Sequence, residues 1–408
     1  MSDAPFEPSR TVQVEENLFS QVYQRQSASN KTQLKMSVGD PTFDGNLVTS
    51  PEAVKAHVEI IKTPTNHGYQ RFHGHPAACA AVPKYWARRF APDNAENLKS
   101  DNVILTCGGS EAILTAFTAL ADEGDNILLP SPGFAHYQFV CDVNNITFRF
   151  YHTSSETGWE VDLDEVRSLV DNKTKAILVN NPNNPCGSNW SLQHVEAIVK
   201  LCEELKLVII ADEIYSGMVS EGLTFSSFAN LHTEVPRLII GGTAKMFMAP
   251  GWRLGWILLV DERDYLKDVM AGMKSMCTFS LGPNAITQQA LPAILEQTPD
   301  SYYAATQREI QNNATAFADA VNQQCKGLSC ASPQGALYIM VKVDLAVFTE
   351  FPSDVEFYMA LEDEENVQVV PGTYLGAPGF FRVCITRPAT IIQQLSERLS
   401  AFCNRHAK

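Results

Sequence analysis

Between about residue 100 and residue 260, short apolar runs alternate with segments of helical spacing. "NVILT" (102–106) is followed by "SEAILTAFTALA", and "NILLP" (126–130) comes next. "KAILVN" (175–180) precedes "SLQHVEAIVKLCEEL", which Ser191 is placed to cap. "LVIIA" (207–211), "RLIIG" (237–241) and "GWILLV" (255–260) complete the series. Nearly continuous Val/Ile/Leu runs interleaved with helices predict an α/β fold with a mainly parallel sheet covered on both faces. Residues 1 to about 60 begin irregularly, and "SVGDPTFDG" is a turn-rich stop. The stretch 261–330 reads as mostly helical. The alternation then restarts in "GALYIMVKVDL", "DVEFYMALEDEENV", "FFRVCITR" and a last helix "IIQQLSERLSAFCNRH". This tail predicts a second, smaller α+β domain. The expected division is a large domain at 62–315 and a small one made of 1–61 and 316–408.

Composition narrows the function. The chain has 408 residues, 45% of them hydrophobic and 19% charged, which suffices for two cores. A formal charge of -15 without a lysine-rich run argues against nucleic acid or an anionic membrane as partner. No apolar run approaches the roughly 20 residues of a membrane span. The polar start "MSDAPFEPSR" does not read as a secretory leader. The ten cysteines are scattered without a CxxC pair, so no metal site is expected. They read as small core residues of a reducing compartment, the cytoplasm, with a mitochondrial pool left open.

Ligands of open α/β sheets sit beyond the carboxyl ends of the strands, so the residues there carry the chemistry. After "NVILT" come Gly108, Gly109 and Ser110, opening a helix. They form either a tight capped turn or a nest of N–H groups for an anion such as phosphate. After "AILVN" comes "NPNNPCG", a rigid bend that aims Asn181 and Asn184 at the same crevice, or simply turns the chain. After "LVIIA" comes Asp212, with Tyr215 three residues on. A carboxylate at the end of a buried strand needs a cation or an N–H partner, unless it only caps the next element. After "RLIIG" comes "GTAK": Lys245 follows a buried strand, where loss of water lowers an amine's pKa and suits it to a Schiff base with an aldehyde. Arg253 then offers a permanent charge to a phosphate, or pairs with a core carboxylate. One ligand unites the four strand ends: a phosphorylated aromatic aldehyde with a basic ring nitrogen, pyridoxal 5'-phosphate.

"NPNNPCG", "ADEIY" and "AKMFMAPGWRLGW", in that order and spacing, resemble the fold-type I pyridoxal-phosphate-dependent aminotransferases of class I and II. The resemblance runs from "SVGDP" to "FFRVCITRP". Within the family, "PSPGFAHY", "NNPNNPCGSN" and "DVEFYMALEDEENVQVVPGT" look most like the tyrosine aminotransferases of the trypanosomatid type. It implies the fold-type I architecture, with a mainly parallel seven-stranded sheet in the large domain. Lys245 would carry the Schiff base and shuttle the proton, and Asp212 would pair with the pyridine nitrogen. Asn184 and Tyr215 would bond the ring hydroxyl, and Phe134 would stack on the ring. Gly108, Gly109, Ser110 and Arg253 would hold the phosphate, with Tyr69 reaching it from a second subunit of a homodimer. Arg382 would grip the substrate α-carboxylate beside Gly39 and Asn184. Arg387 and Arg10 are exposed-looking spare cations for the distal carboxylate of a dicarboxylic substrate.

The chain departs from many relatives at Cys107 and Gly242, where serine or threonine is usual. Phosphate contacts there would fall to backbone or to Thr243. The implied reaction is ping-pong transamination of tyrosine, phenylalanine or tryptophan with 2-oxoglutarate, pyruvate or oxaloacetate, a step of tyrosine catabolism. A transaminase of alanine or aspartate, a C–S lyase on the same cofactor and a non-catalytic scaffold are the alternatives.

Overall fold

The computed structural model describes residues 18–408. Its strands are β1 (Leu34–Lys35), β2 (Val103–Thr106), β3 (Asn126–Ser131), β4 (Thr147–His152), β5 (Thr174–Asn180), β6 (Val208–Asp212), β7 (Arg237–Gly242), β8 (Gly255–Val260), β9 (Leu328–Ser329), β10 (Tyr338–Val343), β11 (Val367–Gln368), β12 (Val370–Pro371) and β13 (Phe380–Cys384). Seven of them form one sheet in the order β2-β8-β7-β6-β5-β3-β4. The strands β4, β3, β5, β6 and β7 run parallel, as the alternation of apolar runs and helices predicts. The exception is β8, antiparallel to both β7 and β2. Only the short link Thr243–Leu254 separates β7 from β8, too little chain for a helical crossover.

Successive residues of each strand feed opposite faces. Leu105, Ile177, Val179, Ile209, Ile239 and Leu258 join one buried cluster with Ile198 and Leu291 from the helices Leu192–Leu205 and Ala285–Gln297. Their neighbours Ile104, Leu178, Ile210, Ile240 and Ile257 join a second cluster with Ile113 and Met273 from the helices Gly109–Leu120 and Lys267–Met276. Burial on both faces explains why these strands lack polar alternation. Ser191 caps its helix, accepting from the His194 N–H. The other helix start belongs to Gly108 rather than Ser110.

The C-terminal part forms a second sheet, β12-β13-β10-β9, antiparallel throughout. Helices Asp300–Gln324, Asp354–Glu365 and Ala389–His406 cover it around Phe317, Phe357, Leu361 and Phe402. The N-terminal segment crosses over to this unit through β1, which pairs parallel with β11. Ala53 and Ala56 of the helix Pro51–Lys62 pack instead into the core of the large sheet. The N-terminal segment therefore ties the two cores together. Among the described residues, no helix is long and apolar enough to cross a membrane.

Candidate active site

A cleft of about 390 Å3 opens where the carboxyl ends of the parallel strands face the small sheet. That volume falls within the roughly 300–1,000 Å3 of small-molecule sites. It is lined by Gly39, Gly109, Ser110, Phe134, Asn184, Asp212, Tyr215, Lys245, Arg253 and Arg382, so one site gathers residues from seven separate segments.

Strand β6 delivers Asp212 into the floor at 4% exposure. Tyr137 Oη donates to its carboxylate at 2.7 Å, and the Ile214 N–H donates at 3.2 Å. Burial raises the carboxyl pKa, while Tyr137, the Ile214 N–H and nearby Lys245 oppose the rise. Strand β7 and its loop deliver Lys245. Burial lowers the pKa of its ammonium to about 8, and Arg382 and Arg253 push the same way against the opposing influence of Cys384 and Asp40. Its Nζ donates to the Gly39 carbonyl at 2.6 Å and lies 6.0 Å from the Tyr215 ring centroid. The sequence predicts this amine stripped of water, and the cleft provides it.

At the anion end, Gly108 has φ +82, and a Cβ there would come within 2.6 Å of Arg253 Nη2. Glycine is needed because the guanidinium lies directly on the backbone. Arg253 donates from Nη1 to Pro250 O at 3.0 Å and from Nη2 to Cys107 O at 3.1 Å. It is exposed at the rim and makes no ion pair among the described residues, so the core-carboxylate reading fails. Thr243 is fully buried and donates to Leu254 O at 3.2 Å, so its hydroxyl does not serve the cleft. A Cβ on Gly242 would lie 2.9 Å from Leu254 O, which leaves no room for serine there. The Cys107 N–H donates to the Glu111 carboxylate.

At the opposite end, β13 presents Arg382, which donates from Nη1 to Asn184 Oδ1 at 2.9 Å and from Nη2 to Ser37 O at 2.8 Å. Asn181 does not face the crevice as expected: its Oδ1 accepts from the Trp190 N–H at 2.9 Å. Asn180 takes that place, donating to Asp212 O at 2.9 Å and accepting from the Asn184 N–H at 2.8 Å. Arg387 is also not the exposed spare cation expected. It is 1% exposed, donates to Val38 O at 2.6 Å and Asp40 O at 3.2 Å, and lies 3.6 Å from Asp44. Two carbonyls and the nearby Asp44 carboxylate offset part of the penalty of burying this guanidinium, whose Nε has no hydrogen-bond partner. Tyr69 stands outside the cleft at 84% exposure, and Arg10 lies outside the described residues.

Sequence reasoning missed Tyr137, Tyr338, Tyr23 and His136, all of which line the cleft. Tyr137 had a signal, because it lies three residues beyond Phe134 in the same run. Tyr338 had none: in a strand it reads as one more core aromatic.

A profile of the family described as aminotransferase class I and II matches residues 31–399. Tyrosine aminotransferase of Mus musculus is 39% identical over 378 residues, 92% of this chain and 82% of that protein. The crystal structure of tyrosine aminotransferase from Leishmania infantum superposes with a TM-score of 0.96 at 38% identity, covering 100% of both chains. An S-alkyl-thiohydroximate lyase of Arabidopsis thaliana is 31% identical over 385 residues, 93% of this chain and 82% of its own length. With a half-buried lysine, a buried acid and an arginine clamp in one cleft, and a family match over nearly its whole length, the chain belongs to the class I and II aminotransferases.

Proposed function

We propose that this enzyme transfers the amino group of aromatic L-amino acids to a 2-oxo acid, using pyridoxal 5'-phosphate seated in the cleft. The observation carrying the reading is the placement of Lys245 and Asp212 in one pocket with Arg382 opposite. The residues fit the cofactor: the Gly108 turn lets the Arg253 guanidinium lie against the start of the helix Gly109–Leu120, and Asp212 offers a buried carboxylate to a ring nitrogen. When bound, the cofactor supplies the electron sink that lets a proton leave an amino acid's α-carbon.

The chain supplies the rest. Gly109, Ser110 and the first-turn N–H groups with Arg253 would hold the phosphate. Asp212, held by Tyr137, would keep the ring nitrogen protonated, Tyr215 and Asn184 would bond the ring hydroxyl, and Phe134 would stack on the ring. Arg382 grips the α-carboxylate through two donors, near Gly39. Lys245 Nζ would take the proton from the amino acid's α-carbon as general base and give it back as general acid. Its lowered pKa places a free amine within reach at neutral pH. Phe134, Tyr137 and Ile113 offer an apolar wall for an aromatic side chain.

For the two units we propose 62–315 as the large one and 1–61 with 316–408 as the small one, with the helix Pro51–Lys62 lent to the large core and the helix Asp300–Gln324 to the small sheet. We further propose a cytoplasmic homodimer. Ile61, Tyr69, Phe279 and Leu281 are 53%, 84%, 91% and 42% exposed on neighbouring segments, an apolar face that a second copy would cover. In this reading Tyr69 reaches the partner's phosphate end. All ten cysteines are free thiols, as a reducing compartment would keep them. Arg387 is not assigned to distal carboxylates, because it is buried against Val38, Asp40 and Asp44 and does not line the cleft.

Incubation with L-tyrosine and 2-oxoglutarate tests the reading: glutamate and the aromatic oxo acid should form one for one. The lyase relative makes C–S cleavage the second reading. Cleavage of a cysteine conjugate without any oxo acid, and no glutamate from tyrosine, would replace the first reading with the second.

A further inference from the structure

Tyr338 lies at the junction of the cleft's two ends. It is 3% exposed on β10, where it faces Cys384 of β13 in register. The Arg382 guanidinium carbon stands 4.4 Å over its ring centroid. The Tyr215 hydroxyl donates to the Tyr338 hydroxyl at 3.3 Å, and the two rings meet edge to face at 6.1 Å. A Cβ on Gly39 would overlap the Tyr338 hydroxyl, with the next ring atom 3.4 Å away. The Gly39 carbonyl is the acceptor for Lys245, and Ser37 O, two residues earlier, is an acceptor for Arg382. One side chain thus touches the clamp, Tyr215 and the Ser37–Gly39 segment that receives both cations.

We infer that Tyr338 is a positioning residue: its ring face fixes Arg382 for a carboxylate, and its hydroxyl holds Tyr215 and obliges residue 39 to be glycine. The two halves of the side chain have separable tasks. A ring under a desolvated guanidinium restrains it in two dimensions and adds cation–π attraction. The hydroxyl both donates and accepts. When Tyr215 turns its own proton toward a ligand, Tyr338 donates to Tyr215 in its place. The substrate class of the clamp rests on the proposed function, but the stacking does not.

The test uses the holoenzyme and 3-phenylpropionate, an aromatic carboxylate that lacks an amine and cannot turn over. Its Kd is measured by calorimetry for wild type, Tyr338→Phe, Tyr338→Leu, Gly39→Ala and the Gly39→Ala/Tyr338→Phe pair. Leucine is expected to weaken binding about tenfold, whereas phenylalanine, which keeps the ring, stays within about twofold. With tyrosine as substrate, phenylalanine is expected to lower kcat roughly threefold at unchanged KM. Gly39→Ala should weaken binding, and removing the hydroxyl in the double variant should restore most of it. The inference is overturned if leucine binds like wild type, if phenylalanine and leucine weaken binding equally, or if the double variant shows no rescue. Should the leucine variant fail to fold, the phenylalanine and Gly39 variants decide. Wild type that binds 3-phenylpropionate but transaminates nothing would sink the proposed function and leave Tyr338 standing. Wild type that does not bind it would sink the clamp and this inference together.

Discussion

The two ends of the cleft are built differently. The lysine end stands on the carboxyl edges of parallel strands: Asp212 ends β6, and Lys245 follows β7 by three residues. Backbone already buried on both faces fixes those positions. The clamp end is assembled from far-separated chain. Arg382 bonds Ser37 across 345 residues, and Asn184 across 198. The first end is rigid by its sheet; the second depends on side chains that hold one another. Chemistry that moves a proton is placed on the rigid end, and recognition on the assembled end. Substitutions at the lysine end should therefore change kcat, and those at the clamp end should change KM.

The largest effect is expected at Lys245. Lys245→Ala should lower kcat by roughly 10⁴-fold or more, because among the described residues no other lysine lines the cleft. Steady-state rates with excess cofactor check this. Asp212→Asn should lower kcat by on the order of 10²-fold by removing a preorganised charge, with KM changed far less. Arg382→Leu should reverse the pattern, raising KM for the amino acid by roughly 10²-fold through loss of a charge-assisted pair of hydrogen bonds. If it lowered kcat alone, the division between the two ends would fail.

Tyr137→Phe is smaller: it removes one hydrogen bond of about 1 kcal/mol from Asp212. Cofactor retention on dilution should fall severalfold.

The pH dependence sharpens the comparison further. Lys245 has a folded pKa of about 8, against 10.5 for a free lysine. The unfolded chain therefore binds more protons between those values, and cofactor-free stability should rise with pH across that window. Below about 8 the penalty is constant. Urea melts at stepped pH should show the rise in wild type and lose it in Lys245→Ala.

The same contrast decides what was legible in the sequence. The lysine end could be read because a polar residue ending a long apolar run is conspicuous: Asp212 after "LVIIA" and Lys245 after "RLIIGGT" announce themselves. Arg382 was reached through family resemblance, since its partners Ser37 and Asn184 are remote in sequence. Arg387 was misjudged because arginine is usually solvated, whereas here carbonyls of the turn Val38–Asp40 accept it. Asn180, the last residue of β5, holds the place expected of Asn181, which lies just beyond the strand and turns to the Trp190 N–H. Antiparallel β8 was hidden because a strand buried on both faces reads the same in either direction. Tyr338 could not be seen at all without the β10–β13 register.

The most direct test concerns the amine of Lys245. The cofactor-loaded enzyme is given L-tyrosine in D2O without any oxo acid, and α-proton exchange is followed by proton NMR. Wild type is expected to wash out the α-proton and Lys245→Ala to leave it in place. Undiminished exchange in the alanine variant would mean that another group carries the proton, and the assignment of the cleft's chemistry to this lysine would be wrong.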